Sequence, residues 1–227
     1  MESIGAIVLC RLDSSRLRGK VLMPFHARPL LAHIIARCRQ VPAFALRVVV
    51  ATSVRGVDDP IADYCASAAI PVFRGSAADV AGRILACATA HGLTWFARVN
   101  ADSPFVDPGL LQVGCELAAA QDLEFVTNLV PRSYPYGVSV EIVKTQAYRR
   151  MYEAMTDASD REHVTAYLYQ HLDRIRYAAL PKHDCDASKR RLTLDTPDDL
   201  REVHALLSRS ESTLDKLSYR QILEMGE

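Results

Sequence analysis

Neither sign of charge is in excess in this sequence of 227 residues, because 27 lysines and arginines balance 27 aspartates and glutamates. Proteins that bind nucleic acid usually carry a basic excess, so we expect no nucleic-acid partner. The sequence also lacks a run of 18 apolar residues and a basic segment that leads into a signal-like apolar stretch. We therefore expect a soluble, cytoplasmic protein that makes no membrane contact.

Cysteine pairs of the CxxC type are absent as well. The six cysteines stand far apart, and most of them lie in apolar periodic segments. A zinc site or a disulfide framework needs closer, patterned spacing, whereas a free cysteine in an apolar segment behaves as a small hydrophobic residue. We expect reduced core thiols at Cys10, Cys38, Cys65, Cys87, Cys115 and Cys185.

What the sequence does contain is an alternation of apolar runs and helical patterns through its first 130 residues. Strands are predicted at residues 4–10, 47–53, 70–73, 95–99 and 124–128, and helices at residues 29–40 and from about Asp58, Asp79 and Pro108. This order implies an α/β fold with a Rossmann-like, mostly parallel sheet flanked by helices. Ligands bind beyond the carboxyl ends of such strands, so the loops after Cys10 and Val99 should form the site.

The alternation ends after Asn128, where residues 131–137 (PRSYPYG) form a turn-rich connection. Further strands are predicted near residues 138–143, 176–180 and 191–194, and helices near 145–155, 160–175 and from Pro197. We interpret residues 1–227 as a single domain in which about residues 131–182 form a small insertion that caps the site or makes a dimer. The apolar helices after Thr145 favour a homodimer, since two-fold dimers are the commonest oligomers.

A basic loop follows the first predicted strand: residues 11–20, RLDSSRLRGK, hold four cations in ten residues. Cations, hydroxyl groups and backbone N–H groups together suit a polyphosphate, although most charge runs are solvated loops. The loop is not a P-loop, because Ser14 and Val21 stand where that motif needs glycine and a hydroxyl residue. No GxGxxG motif is present either. Side-chain charge, more than a glycine nest, is therefore expected to bind phosphate.

Two aspartates follow predicted strands elsewhere in the chain. Asp102 lies in residues 98–104, RVNADSP, which could be ordinary turn chemistry. Residues 192–200, LTLDTPDDL, are typical of a helix start with Thr196 as the cap and Pro197 in the first turn. That interpretation leaves Asp195, at a predicted strand end, without a role.

These motifs together resemble those of the sugar-activating cytidylyltransferases, which include the synthetases of CMP-3-deoxy-manno-octulosonate and the spore-coat polysaccharide (SpsF-type) proteins. The basic loop is similar to their RxxSxRLPGKxL signature, residues 100–104 to their GDxP or ADSP turn, and residues 192–200 to their T-x-DTPEDL element. The resemblance spans almost the whole chain. It implies a nucleotide-diphospho-sugar transferase-like fold and a magnesium-dependent enzyme that transfers CMP from CTP to a small sugar-like acceptor.

The resemblance also implies roles for single residues. It assigns catalytic roles to Arg16, Lys20 and Asp102, and it makes Asp102 and Asp195 the ligands of Mg²⁺. Residues 75–83 resemble a G-x-x-x-DVLxR stretch that lines the nucleotide pocket. The nucleotide is accordingly assigned to Arg11, Ser14, Ser15, Arg16, Lys20, Gly75, Asp79, Arg83 and Asn100.

Residues 136–141 and 161–165 are similar to the SpsF-type YPxGxxxE and REHVT elements, which implies an acceptor site at Glu141, Glu162 and His163. Residues 161–165 could instead simply begin a charged amphipathic helix. Two positions depart from the family pattern: Arg18 replaces its usual proline, and Gly82 stands where a larger residue is usual.

Two other functions stay open at this point. A nucleotide-sugar-dependent glycosyltransferase also uses a parallel sheet with metal-binding aspartates, although it needs fewer cations in the phosphate loop. A non-catalytic nucleotide-binding protein is the other alternative, because a fold alone does not establish a function. The isolated His33 and His91 are expected at the surface or boundary of helices.

Overall fold

The computed structural model describes residues 3–13, 17–25, 28–208 and 213–225. Its main feature is a seven-stranded sheet. In spatial order the strands are β5 (Val72–Gly75), β4 (Val48–Ser53), β1 (Ile4–Leu9), β6 (Trp95–Asn100), β8 (Glu141–Lys144), β7 (Phe125–Thr127) and β9 (Tyr177–Ala179). A separate antiparallel pair consists of β2 (Pro24–Phe25) and β3 (Arg28–Pro29).

Helices cover both faces of the sheet. They are α1 (Leu30–Cys38), α2 (Asp59–Ser67), α3 (Val80–Ala90), α4 (Pro108–Ala120), α5 (Thr145–Glu153), α6 (Ala158–Glu162), α7 (Ala166–Gln170), α8 (Pro197–Leu207) and α9 (Tyr219–Met225). Two separate clusters of buried apolar side chains fill the space between the sheet and these helices. Among the described residues, no helix combines the length and the hydrophobicity needed to cross a bilayer.

Strands β5, β4, β1 and β6 run parallel to one another and form what we call the parallel half of the sheet. Every residue of β4 is buried, and β1 is buried except at its last position. Near-continuous apolar runs of this kind are typical of parallel strands covered on both faces. The predicted α/β fold with a mostly parallel sheet is therefore confirmed.

Strands β8, β7 and β9 form the mixed half, in which β8 is antiparallel to both β6 and β7. The strand predicted at residues 138–143 begins only at Glu141. The Asn128 side chain accounts for the late start: its amide donates to the Val138 carbonyl and accepts from Val140 N–H, both at 2.8 Å. A side chain thus makes the bonds that a neighbouring strand would otherwise make.

Two further predictions in this half were wrong. The single helix expected at residues 160–175 is broken between α6 and α7, where Val164 has a positive φ of 20° and its carbonyl accepts a bond from the Tyr148 hydroxyl. Residues 191–194 are not a strand but form one isolated bridge, between Tyr136 and Arg191. Backbone bonds of Tyr136 to Arg190 and Leu192 hold that segment against a loop instead of a sheet edge.

Burial also corrects two expectations about single side chains. Five cysteines are buried free thiols, but Cys185 is exposed. Burial raises the pKa of the Cys38, Cys87 and Cys115 thiols to about 12. His33 is buried rather than at the helix surface, because its ring lies between the Phe25 carbonyl, at 2.7 Å, and the Asp215 carboxylate, at 3.0 Å.

Candidate active site

A cavity of about 400 Å³ opens at the carboxyl ends of β1 and β6. This is the edge of a parallel sheet at which ligands bind, because the loops leaving adjacent strands diverge there. Of the residues singled out in the sequence, the following line the cavity: Arg11, Lys20, Arg83, Asn100, Asp102, Glu162, His163 and Asp195. Side chains that are far apart in the chain therefore share one space, which we call the first cavity.

The basic loop is held in place at both of its ends. At its start, the Leu12 N–H donates to the buried Asp58 carboxylate at 2.8 Å, and Ser53 hydrogen-bonds to the same carboxylate. At its end, Gly19 adopts a left-handed conformation (φ 72°) and donates its N–H to the Leu12 carbonyl at 3.0 Å. Glycine takes up that conformation without the usual steric cost. The predicted contacts of Ser14, Ser15 and Arg16 lie outside the described residues.

Lys20 lies directly between the two candidate metal ligands. Its ammonium is 2.9 Å from an Asp195 oxygen and 3.4 Å from an Asp102 oxygen, and only 8% of the residue is exposed. The two aspartate segments are joined by a backbone bond of 2.8 Å from Leu194 N–H to the Asp102 carbonyl. Two carboxylates of like charge are thus held together around the buried ammonium of Lys20.

The carboxylate of Asp195 is further fixed by its neighbours. Arg191 contacts one of its oxygens at 3.0 Å, while the Asp199 carboxylate accepts from the backbone N–H groups of Asp195 and Thr196 at 2.8 Å each. Thr196 in turn accepts from Asp199 N–H at 3.2 Å, which completes a reciprocal cap at the start of α8. The capping residues and the candidate ligand therefore belong to one structural unit.

Arg83 and Asp79 differ in how they relate to the first cavity. Arg83 lines it and donates to the Ser76 carbonyl at 2.7 Å, and burial lowers the pKa of its guanidinium. Asp79 does not line it, and neither does Gly75. The Asp79 carboxylate instead caps α3 by accepting from Gly82 N–H, and it accepts from the Tyr152 hydroxyl at 2.6 Å. A Cβ at Gly82 would lie 2.4 Å from an oxygen of this carboxylate, so a larger residue there would require the Asp79 side chain to shift.

The three predicted acceptor residues occupy two different environments. Glu162 and His163 are exposed, at the end of α6, and line the first cavity. Glu141 is only 1% exposed and forms an ion pair with Arg98, while the Tyr169 hydroxyl donates to its other oxygen at 2.9 Å. Burial by itself lowers the pKa of the Arg98 guanidinium, but Glu141 outweighs it and the pKa is raised.

A second cavity of about 170 Å³ adjoins the first, and Arg98 and Asn100 line both. Its other polar walls include Arg132, Tyr136, Ser139 and Glu141. Sequence reasoning overlooked Arg98 and Arg132. An available signal for Arg98 was an arginine inside the otherwise mostly apolar strand 95–99.

The donors in the first cavity fit a magnesium ion. Asp102 and Asp195 offer hard oxygen ligands, and their closeness to one buried ammonium shows that the space between them accepts positive charge. The described residues contain no cluster of three or more histidine, cysteine, aspartate or glutamate side chains that could hold a metal. Mg²⁺ is usually bound by one or two carboxylates, with substrate phosphates and water as the remaining ligands.

Known proteins resemble this chain in sequence and in fold. The family model described as "Cytidylyltransferase" matches residues 5–222. The spore coat polysaccharide biosynthesis protein SpsF of Bacillus subtilis (strain 168) is 32% identical over 218 residues, which is 92% of this chain and 88% of the relative. The chain belongs to the cytidylyltransferase family. It is therefore a nucleotidyltransferase, and the resemblance that its motifs indicated is confirmed.

Two solved structures show how far the similarity in shape extends. A cytidylyltransferase from Leptospira borgpetersenii serovar Hardjo-bovis (strain JB197) superposes with a TM-score of 0.92 at 27% sequence identity. The superposition covers 99% of this chain and 93% of the Leptospira chain. CMP:2-keto-3-deoxy-manno-octonic acid synthetase, solved in complex with CTP, superposes with a TM-score of 0.68 at 16% sequence identity. The superposition covers 92% of this chain and 99% of the synthetase chain. The second similarity concerns the fold alone.

Proposed function

We propose that this cytidylyltransferase uses CTP and Mg²⁺ to transfer CMP to a sugar acid or a related small acceptor, releasing pyrophosphate. The observation that carries the proposal is the pair Asp102 and Asp195 around Lys20, within a cavity that Arg11 and Arg83 also line. Carboxylates for a metal and cations for a triphosphate are the two requirements of nucleotidyl transfer, and both are present at one sheet edge.

In the proposed reaction an oxygen of the acceptor attacks the α-phosphate of CTP as the bond to pyrophosphate breaks. Such transfers depend on positioning and charge stabilisation more than on covalent help from the protein. Arg11, Arg16 and Lys20 would neutralise the charge that develops on the leaving pyrophosphate. Mg²⁺, held by Asp102 and Asp195, would supply Lewis-acid stabilisation of phosphate oxygens.

The remaining predicted residues complete the proposed nucleotide site. Arg83 and Asn100 line the cavity directly, whereas Asp79 acts by capping α3, the helix that carries Arg83. We keep Gly75, Ser14 and Ser15 as nucleotide-binding residues by their place in the family motifs. Exposed Glu162 and His163 are proposed to contact the acceptor directly, and buried Glu141 to do so as part of its pair with Arg98.

The pathway and the acceptor are proposals that rest on the relatives. SpsF is named for spore coat polysaccharide biosynthesis, and the synthetase solved with CTP is named for a 2-keto-3-deoxy sugar acid. We infer from these names a role in the biosynthesis of a surface polysaccharide. A sugar acid is the first acceptor class to test, and a sugar phosphate is the second.

The deciding experiment measures pyrophosphate release with Mg²⁺ and each of the four ribonucleoside triphosphates, against separate pools of sugar acids and sugar phosphates. We expect release with CTP and one pool only. Release with another triphosphate would overturn the cytidine assignment. CTP binding without turnover across the whole panel would favour the non-catalytic alternative. A parallel reaction with a UDP-sugar in place of the triphosphate tests the glycosyltransferase alternative, which release of UDP would favour.

Two structural proposals accompany the function. We propose that residues 131–182 act as the insertion that borders the acceptor side, since Arg132, Tyr136 and Glu162 all line the two cavities. A homodimer is proposed separately. The apolar positions of α5, such as Tyr148 and Met151, are buried within the chain, so they are not available to a partner. Light scattering of the purified protein decides the oligomeric state, and a monomer mass would remove the dimer.

A further inference from the structure

The second cavity lies where an acceptor would meet the nucleotide. It shares Arg98 and Asn100 with the first cavity, and both residues belong to β6, which ends two residues before Asp102. A molecule in the second cavity would therefore be separated from a nucleotide in the first by little more than these two side chains. This placement singles out the second cavity as the pocket for the part of the acceptor that Glu162 and His163, which line the first cavity, do not contact. The assignment rests on the function proposed above.

The charge balance of the second cavity is positive. Arg98 and Glu141 form an ion pair and neutralise each other. Arg132 makes no ion pair within the described part of the chain, and its buried Nη1 atom has no hydrogen-bond partner there. The Nε of Arg98 is likewise buried and unpartnered among the described residues. Buried donors without partners are costly, and a ligand that accepts hydrogen bonds relieves that cost.

The Arg132 guanidinium is also held in a defined orientation. It lies over the Tyr136 ring, 4.1 Å from the ring centroid, and the Arg191 guanidinium lies 5.9 Å from the same centroid. Gly137, the next residue, has φ 95°, and a Cβ there would come within 2.6 Å of the Leu192 carbonyl oxygen. The loop therefore packs closely on residues 190–194, and a guanidinium already stacked on an aromatic ring loses less entropy on binding.

We propose that Arg132 binds an anionic group of the acceptor, a carboxylate or a phosphate, and so selects charged over neutral acceptors. A planar guanidinium matches both groups because it can donate two parallel N–H bonds to them. Arg98, fixed by Glu141, forms the wall between this anion site and the nucleotide. The Ser139 hydroxyl also lines the second cavity and can bond to a hydroxyl group of a sugar. The Ser103 and Thr193 hydroxyls line it as well, but they donate to Asp102 at 3.1 Å and to Asp195 at 3.4 Å.

The test uses the protein saturated with CTP and Mg²⁺, so that the cations of the first cavity are occupied, and titrates it calorimetrically with small probes. Pyruvate supplies a carboxylate, inorganic phosphate supplies a phosphate, and glycerol is the neutral probe. Arg132→Gln should weaken binding of the preferred anion about tenfold or more, the scale of one charge-assisted hydrogen bond. Arg132→Lys keeps the positive charge but loses the planar group with two parallel N–H donors. Its affinity for the anion should lie between those of Arg132→Gln and the wild type.

Arg47→Gln is the matched control, because Arg47 is exposed and precedes β4 at the opposite edge of the sheet. CTP affinity and the thermal midpoint, measured for every variant, separate a local effect from misfolding. Equal anion affinity in wild type and Arg132→Gln would overturn the inference, as would a wild type that binds neither anion or binds glycerol equally well. Failure of the wild type to bind CTP would instead refute the proposed function.

Discussion

The parallel and mixed halves of the sheet differ in how far their charged side chains are exposed. At the carboxyl edge of the parallel half, charged side chains face an open cavity, and the side chain of Arg11 is 57% exposed. At the border with the mixed half, Glu141 is 1% exposed and its two oxygens are taken by Arg98 and Tyr169. In the first arrangement the charges line a cavity that a ligand can enter, even where Lys20 pairs with Asp102 and Asp195. In the second, the Glu141 carboxylate is buried and both of its oxygens are already bonded within the protein.

This difference separates two kinds of site residue. Open charges cost the fold little, so their replacement should affect ligands and turnover. Charges that are already paired and buried support the shape of the site, so their replacement should affect stability first, because a buried charge left without its partner is strongly destabilising. Four substitutions, each with its control, test that division.

Asp102→Asn should lower turnover by about 100- to 1000-fold, the scale of removing one preorganised electrostatic group, while the protein stays folded. Pyrophosphate release with CTP measures the loss, and circular dichroism checks the fold. Asp198→Asn is the control, because Asp198 is an exposed carboxylate whose ion pair with Arg201 lies on the surface. Turnover like that of the wild type in folded Asp102→Asn would remove Asp102 from the mechanism.

Glu141→Gln should lower the free energy of unfolding by about 3 kcal/mol, because it leaves the Arg98 guanidinium without its counter-charge. Glu162→Gln, a change of the same chemistry at an exposed position of the first cavity, should change stability by less than about 0.5 kcal/mol. Urea denaturation of both variants measures the difference. Equal losses in both variants would show that the buried carboxylate contributes no more to stability than the exposed one.

Lys20→Gln should destabilise the protein in EDTA, because Asp102 and Asp195 then face each other without the intervening ammonium. Like charges at close range repel, and a divalent cation between them removes the repulsion. We expect added MgCl₂ to raise the thermal midpoint of Lys20→Gln more than that of the wild type. A midpoint that responds equally to MgCl₂ in both proteins would contradict a metal site at this pair.

Tyr152→Phe should cost about 1 kcal/mol, the net contribution of one hydrogen bond, because the Tyr152 hydroxyl joins α5 to the Asp79 carboxylate that caps α3. This bond links the two halves outside the sheet. Thermal denaturation measures the loss, with Tyr177→Phe on the exposed edge strand as the control. A loss of the same size in both variants would show that the link contributes nothing specific.

The parallel half could be predicted from the sequence because its signals are local. A run such as IGAIVL at residues 4–9 is buried on both faces, and Asp79 and Pro108 mark helix starts within a residue or so of where they occur. The mixed half depends on contacts between distant residues. Nothing near Val138 reveals that the Asn128 side chain satisfies its carbonyl, so the late start of β8 could not be foreseen.

The same distinction applies to the site. Only the resemblance of their motifs to one family predicted that Asp102 and Asp195 share a site, since no periodicity relates residues so far apart. The pairing of Arg98 with Glu141 likewise joins two strands that are adjacent in the sheet but not in the chain. Arg132 lies in a segment read only as a turn, and its relation to Tyr136 depends on a loop conformation that composition does not specify.

The exposed position of Cys185 has a practical consequence. All six cysteines lie in the described residues, and the other five are buried, so a maleimide dye should attach to Cys185 alone in the native protein. Two hydrogen bonds join the surrounding segment to Ser133: His183 N–H donates to its hydroxyl at 2.8 Å, and Ala187 N–H donates to its carbonyl at 2.9 Å. A fluorophore at this natural attachment point would sit beside the loop that carries Arg132 and could report, in real time, on the filling of the neighbouring pocket.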